Sequence, residues 1–282
     1  MRVSLILAAT PLGNPGDASA RLIAALTSAD VIAAEDSRRF HRLAADLGVT
    51  FTARVLSFFE GNEDARTQEV LELLKSGLKV VVVSDAGMPT ISDPGFRLMR
   101  DAIAANIEVS VLPGPSAVTM AIALAGLPTD RFTFDGFVPR ASGARAKFYE
   151  SLRFEERTIV LFEAPHRLAE SLADAVTAIG GERQGAICRE MTKRYEETIR
   201  GTLSELHNWS VSNEVLGEIT LVIAGAPVGD AAATSADMVA RVREFEGAGM
   251  DRKGAIATVA EEFKIPKKIV YAAVVDSNKM SQ

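Results

Sequence analysis

The stretch Lys79-Val80-Val81-Val82-Val83-Ser84-Asp85-Ala86-Gly87-Met88-Pro89-Thr90-Ile91-Ser92-Asp93-Pro94-Gly95 decides the fold. Four valines in a row do not alternate with polar residues. Both faces of the strand they form must therefore be covered, as at the centre of a parallel sheet. The loop that follows holds two Asp, two Gly and two Pro within eleven residues. A surface turn needs far fewer special residues. Glycine lets a backbone approach a ligand closely and proline fixes a loop's shape. In open parallel sheets, ligands bind beyond the carboxyl ends of the strands.

Working outward, the pattern repeats on both sides. Upstream, residues 3–9 form an apolar strand ending at Pro11, Gly13, Asn14, Pro15 and Gly16, and Leu22, Ile23 and Leu26 recur at helical spacing. Residues 31–34 form a second strand, ending at Glu35 and Asp36. Leu43 and Leu47 lie on a helix stopped by Gly48, and residues 55–58 are a third strand. Val70, Leu71 and Leu74 line a helix ended by Gly77. Downstream, Leu98, Met99 and Ile103 mark a helix and residues 107–112 a strand. Repeated βα units predict a doubly wound parallel sheet with right-handed crossovers.

Pro113-Gly114-Pro115 reads as a joint between domains, followed by a small-residue helix over 116–126. Strands are expected at 131–137, 158–163, 185–189, 197–201 and 218–224, with one long helix, 166–179, among them. Close succession of the later strands predicts a mixed or antiparallel sheet. His207 and Trp209 fall in a loop on this reading. Residues 227–235 are a low-complexity linker, and 237–247, 253–263 and 269–275 are helical. The expected architecture is two α/β domains, 1–114 and 115–226, then a linker and small helical region, 227–282.

Composition narrows the function classes. The chain has 282 residues, 48% hydrophobic, enough for sizeable cores. No apolar run reaches the roughly 18–20 residues that cross a bilayer, and the opening apolar run is too short for a signal peptide. A single cysteine, Cys188, excludes an internal disulfide, and with three histidines no zinc cluster is expected. These features fit a cytoplasmic protein with no membrane partner and no metal. The net charge of −6 argues against a generally basic, nucleic-acid-coating surface. An RNA partner would need a local basic patch. Such patches are Arg140, Arg145, Lys147 and Arg153, and the tail with Arg252, Lys253, Lys264, Lys267, Lys268 and Lys279.

Three loops at strand ends carry the informative chemistry: residues 9–14, 34–39 and 84–95. None contains G-x-G-x-x-G and no P-loop lysine motif occurs, so dinucleotide or nucleoside-triphosphate binding of the usual kind is not expected. The residues themselves define a ligand cleft lined by acidic and arginine side chains, without naming the ligand.

The same loops resemble a known family. Ala9-Thr10-Pro11-Leu12-Gly13-Asn14, Ala33-Ala34-Glu35-Asp36-Ser37-Arg38, Ser84 to Gly95 and Leu112-Pro113-Gly114-Pro115-Ser116-Ala117 are similar to motifs of the tetrapyrrole methylase superfamily. The branch they resemble methylates a cytidine ribose 2′-hydroxyl in 16S ribosomal RNA. The likeness continues through residues 126–132, Glu163-Ala164-Pro165-His166-Arg167 and Arg189-Glu190-Met191-Thr192-Lys193. It implies two α/β domains with S-adenosylmethionine between them, held by Thr10, Pro11, Leu12, Asp85, Ala86, Gly87, Met88, Ser116 and Ala117. It also implies a homodimer acting on 16S rRNA of the small ribosomal subunit.

Deprotonating a ribose hydroxyl calls for a general base. The candidates are Asp36 first, with Glu35, Asp85 and Glu163, while Arg38, Arg39, Arg167 and Lys193 suit phosphates. Each has a plainer alternative. Asp36 with Arg38 also fits an ion pair at a strand end, and Glu163 with Arg167 a helix-end pair. Lys193 also fits an exposed strand-end charge, Cys188 a core position, and the tail a packed helical subdomain. Two other functions stay open on the residues alone: tetrapyrrole (precorrin-type) methylation, and a non-enzymatic role on the ribosome.

Overall fold

The valine run is the middle strand of a five-stranded parallel sheet in the computed structural model, which describes residues 4–227, 235–263 and 266–280. In chain order this part comprises β1 (Ser4–Ala8), α1 (Ala20–Thr27), β2 (Val31–Ala34), α2 (Ser37–Asp46) and β3 (Arg54–Ser57). It continues with α3 (Glu63–Lys75), β4 (Val80–Val83), α4 (Phe96–Ala104) and β5 (Glu108–Leu112). The strand order is β3-β2-β4-β1-β5 and every pairing is parallel. Alternate valines explain the unbroken run. Val80 and Val82 pack with Val70, Leu71 and Leu74 of α3 and Leu98 of α4. Val81 and Val83 pack with Leu22 and Leu26 of α1 and Phe40 of α2. All four are at most 3% exposed, so no position of β4 tolerates a polar side chain.

The second sheet follows Pro113–Pro115. It comprises α5 (Ala117–Ala125), β6 (Phe132–Phe137), α6 (Ser142–Leu152), β7 (Thr158–Glu163) and α7 (Leu168–Ile179). Then come β8 (Gln184–Arg189), β9 (Glu197–Thr202), α8 (Leu203–Ser212) and β10 (Ile219–Ile223). The order is β6-β7-β10-β8-β9, with β6 and β7 parallel and the other pairs antiparallel, so the sheet is mixed as expected. One face packs on α6, α7 and α8 through Tyr149, Leu168, Leu172, Leu203 and Leu206. The other packs on α5, where Val118, Ala121 and Ile122 meet Val160, Ala186 and Val222. Cys188 is buried in this second layer, and burial pushes its thiol up to about 11, so it is a core residue.

Two sequence readings are corrected here. His207 and Trp209 lie on α8, not in a loop. Its start is fixed by a reciprocal cap: Glu205 N–H donates to Thr202 Oγ1 at 3.2 Å and Thr202 N–H to Glu205 Oε2 at 2.8 Å. Arg145 is not a surface cation. It is 4% exposed, with Nε donating to Asp174 at 2.6 Å and Nη2 to Glu170 at 3.4 Å, so it ties α6 to α7.

The chain divides into two compact units, the first holding both sheets and the second residues 154–156 with the described residues from Gly225 onward. The second is helical: α9 (Ser235–Gly247), α10 (Arg252–Glu262) and α11 (Lys267–Met280) close on a core of Val239, Val242, Ala255, Val259, Val270 and Val274. Val3, linker residues 228–234, Lys264 and the Lys279 side chain lie outside the described residues. Among the described residues, no helix is long and apolar enough to cross a membrane.

Candidate functional site

The carboxyl ends of β1, β2 and β4 are bound to one another by their loops. Thr10, fully buried after β1, bridges Gly87 after β4: Thr10 N–H donates to Gly87 O at 2.8 Å and Gly87 N–H to Thr10 O at 3.0 Å. The Thr10 hydroxyl also donates to Ser84 O at 3.2 Å. Between β2 and β4 the lock uses side chains. Asp85 N–H donates to Glu35 Oε2 and Asp36 N–H to Asp85 Oδ1, each at 3.1 Å. Arg39 pairs with the other oxygen of Asp85 at 3.1 Å. The far end of the β4 loop is pinned by Glu63, which accepts from Gly95 N–H at 3.0 Å and Arg97 N–H at 3.3 Å. Between these anchors the backbone is strained: Thr90 and Ser92 both have positive φ, 78° and 62°, a conformation disfavoured for residues other than glycine.

These loops face strand ends of the second sheet across a cavity of about 370 Å³, within the range of small-molecule sites. One wall carries Leu12, Glu35, Arg39, Asp85 to Met88, Ile91 to Asp93 and Ser116 to Val118. The other carries Phe137, Phe162 to Pro165, Met191 and Gly217 to Thr220. Gly87 has φ +81°, which disfavours any side chain there, and a Cβ would stand 3.2 Å from Leu12 Cδ2, so Leu12 would have to shift. Gly114 is needed for a different reason: a Cβ would come within 2.8 Å of the Ala9 Cβ, where the chain leaving β5 passes the β1 loop.

The charge of the cavity is its distinguishing property. Five carboxylates line it, from Glu35, Asp85, Asp93, Glu163 and Glu218, against one cation, Arg39. Burial raises the Glu35 carboxyl above its ordinary range, opposed by the Asp85 N–H. Burial likewise raises Asp85, opposed by Arg39. Asp93 moves furthest, up to about 7, through burial and then the Glu35 charge, with the Ser84 hydroxyl bonding to it in opposition. Glu35 and Asp85 are committed to holding the loops together, which leaves Asp93 less engaged.

On the facing wall, Glu163 is fully buried at the end of β7. Its Oε1 accepts from Arg167 Nη2 and from Ala164 N–H, both at 2.7 Å. Its Oε2 has no hydrogen-bond partner, and neither do Arg167 Nη1, Arg189 Nε or Thr192 Oγ1. Glu163 and Arg189 flank Ile219 on its two neighbouring strands, so this unsatisfied polar set sits at one end of the sheet. Buried polar atoms ordinarily find partners. The Glu163 oxygen is sealed beneath the cavity wall, so this set marks a polar strand end held under the site rather than an acceptor facing the cavity.

Of the residues singled out from sequence, Leu12, Glu35, Asp85, Ala86, Gly87, Met88, Ser116, Ala117 and Glu163 are brought together on this cavity. Thr10 and Pro11 lie buried outside its lining. Asp36 caps α2, accepting from Arg38 N–H at 2.8 Å and Arg39 N–H at 3.3 Å. Hydrogen bonds from the Arg38 side chain and backbone hold its carboxyl below the usual range. Arg38 itself is 90% exposed. Lys193 is outside the lining, its ammonium bound to Glu190 at 2.8 Å and Glu218 at 3.0 Å. Burial pulls it down, but these two partners outweigh burial and hold it above the usual lysine range. Sequence reasoning passed over Asp93, Glu218 and Phe137. For Asp93 the signal was present, as the second aspartate of the loop after the valines.

Comparison with known proteins matches residues 4–207 to the family described as Tetrapyrrole (Corrin/Porphyrin) Methylases. A Mycobacterium tuberculosis (strain ATCC 25618 / H37Rv) protein is 48% identical over 276 residues, 98% of this chain and 95% of that one. It is named "Ribosomal RNA small subunit methyltransferase I". A Synechocystis protein of the same name is 41% identical over 268 residues, 95% of each chain. Among solved structures, uroporphyrin-III-C-methyltransferase from Thermus thermophilus superposes with a TM-score of 0.58 at 17% identity, covering 79% of this chain and 94% of that one, a likeness of fold.

Proposed function

The chain belongs to the tetrapyrrole methylase family, and from that premise we propose that it transfers a methyl group from S-adenosylmethionine to a cytidine ribose 2′-hydroxyl of 16S rRNA. Methylation of small-subunit rRNA follows the relatives of 41–48% identity, and the tetrapyrrole alternative is not favoured by them. The observation that carries the cofactor assignment is the pair of cavity carboxylates, Glu35 and Asp93, that make no ion pair among the described residues, while Asp85, Glu163 and Glu218 are matched by Arg39, Arg167 and Lys193. Such a field repels phosphates and favours a ligand with cationic sulfonium and ammonium groups.

The residues fit that ligand. Gly87 keeps its positive-φ turn on the wall and packs against Leu12, where a Cβ would push the Leu12 side chain aside. The carboxylates of the β2 and β4 loops offer acceptors for an ammonium or a ribose hydroxyl. Leu12, Asp85 to Met88, Ser116 and Ala117 would hold the cofactor. Bound there, S-adenosylmethionine would supply an electrophilic methyl group for transfer to the acceptor oxygen, with S-adenosylhomocysteine as the leaving group.

The chain's own part is positioning and proton removal. Asp93 takes the 2′-hydroxyl proton, since it lines the cavity and is not tied up in the lock between the loops. A base titrating near the working pH combines availability with sufficient basicity. Glu35 and Asp85 keep the β2 and β4 loops in register, and Arg38, exposed beside them, is placed to meet a neighbouring phosphate. Phe137, 59% exposed and edge-on to Phe162 at 5.3 Å, offers a ring to a nucleobase. A homodimer is the proposed assembly, read by sedimentation.

The test is transfer of labelled methyl to 30S subunits followed by alkaline hydrolysis. A 2′-O-methyl group blocks cleavage of the adjacent phosphodiester, so the label is expected in an alkali-resistant dinucleotide beginning with cytidine. Label recovered only in mononucleotides would overturn the 2′-O assignment.

A further inference from the structure

The acidic cavity raises a question of charge. A protein of net charge −6 whose reaction cavity is lined by carboxylates has to hold a polyanion by some other surface. The helical unit has one of the opposite sign. A groove there is lined by Arg252 and Lys253 at the start of α10 and by Lys267 and Lys268 at the start of α11, with Tyr271 59% exposed beside them. Asp251 is its single carboxylate, and it is used to cap α10, accepting from Gly254 N–H at 3.3 Å. Arg252 pairs with Glu246 at 2.8 Å. Among the described residues, Lys253, Lys267 and Lys268 are exposed and make no ion pair.

This arrangement is unfavourable for the helices alone. Helix N-termini carry partial positive charge and favour acidic side chains, and cations there are repelled. Here four basic residues occupy the first two positions of two helices whose starts meet at one groove. An anionic partner removes that repulsion, and the groove, at about 850 Å³, has volume for more than a single ion. Successive lysines beside an exposed aromatic ring suit a strand of nucleic acid, with phosphates on the cations and a base against the ring.

We propose that the groove between the starts of α10 and α11 docks the phosphate backbone of the ribosomal RNA. The proposal rests on the rRNA methyltransferase reading, and it assigns binding and chemistry to different surfaces: the groove holds the polyanion, while the acidic cavity holds the cofactor. Recognition in the groove is by charge and is therefore salt-dependent and tolerant of sequence.

The experiment compares the full-length protein with the triple variant Lys253→Glu/Lys267→Glu/Lys268→Glu and with its glutamine counterpart. Methyl transfer to 30S subunits, binding of 16S rRNA across a salt series and S-adenosylmethionine calorimetry are read on each. The groove predicts a KM for 30S raised about tenfold or more in the charge-reversed protein, a smaller rise with glutamine, and unchanged kcat at saturation and cofactor affinity. The slope of log K against log salt should become shallower by roughly two units, at about 0.7–0.9 per phosphate contact. Unchanged KM and slope overturn the groove while wild-type methylation leaves the functional reading standing. Conversely, a wild type that does not methylate rRNA, with a variant that still loses salt-dependent RNA binding, overturns the reading and leaves the groove. Loss of binding to polyglutamate instead of RNA would mark a protein partner and overturn the proposal.

Discussion

Around the cavity of the two-sheet unit, five carboxylates face one guanidinium; along the groove of the helical unit, four cations face one carboxylate. The two regions also differ in how their charges are held. Three of the cavity carboxylates, Glu35, Asp85 and Glu163, are half-buried or buried and accept from backbone N–H groups, so their charge is expensive and positioned. Groove lysines are exposed and free to follow an irregular partner. The difference teaches that one field cannot serve both ligands of this reaction. A sulfonium gains from concentrated negative charge in a partly desolvated cavity, whereas an RNA backbone gains from many weak, screened contacts at a surface.

The sharpest way to break the comparison is Asp93→Asn. It keeps the side chain's size and hydrogen bonding but removes a base, so single-turnover methyl transfer should fall by about 10²–10⁴. RNA salt dependence and cofactor affinity should be little changed. The pH profile carries the sign. The acting form is the deprotonated carboxylate, so the wild-type rate should climb as pH rises toward about 7 and level above it. The variant should lose that inflection. Near wild-type turnover in Asp93→Asn would move the proton acceptor to Glu35 or Glu163.

A change of somewhat smaller energy separates structural from functional charge within the cavity. Arg167→Met strands Glu163, fully buried with its partner gone. Breaking a buried pair from one side costs about 3–5 kcal/mol, which denaturant unfolding should register. The double variant Arg167→Met/Glu163→Gln should recover much of that loss, because the uncompensated charge is gone. If both variants unfold like wild type, the pair contributes little to stability and Glu163 is free to act on a ligand.

Much of this division was legible in the residues. The unbroken valines announced a covered strand, and the Asp, Gly and Pro of the loop after it announced the ligand end of the sheet. Which carboxylate to propose as the base was not legible. Asp36 and Asp93 are both aspartates in loops that leave the carboxyl ends of strands, and only three-dimensional packing separates them. Asp36 turns outward to cap α2 and is stabilised in its charged form, while Asp93 is pressed toward Glu35 and Asp85. The basic run at 140–153 misled for the same reason, since Arg145 finds its acids on α7, about 25 residues further along the chain. Helix α8 was missed despite a readable signal, the Thr202–Glu205 spacing of a capping box. The tail's charges were visible one by one, but their convergence depends on how α10 meets α11.

The central claim is that the acidic cavity, and not the groove, holds the cationic cofactor. Calorimetry of S-adenosylmethionine on Gly87→Val and on the groove triple variant tests it most directly, with circular dichroism to confirm that both are folded. The account predicts affinity equal to wild type in the groove variant and a loss of at least about tenfold, ~1.4 kcal/mol, in Gly87→Val. Wild-type affinity in a folded Gly87→Val protein would contradict it.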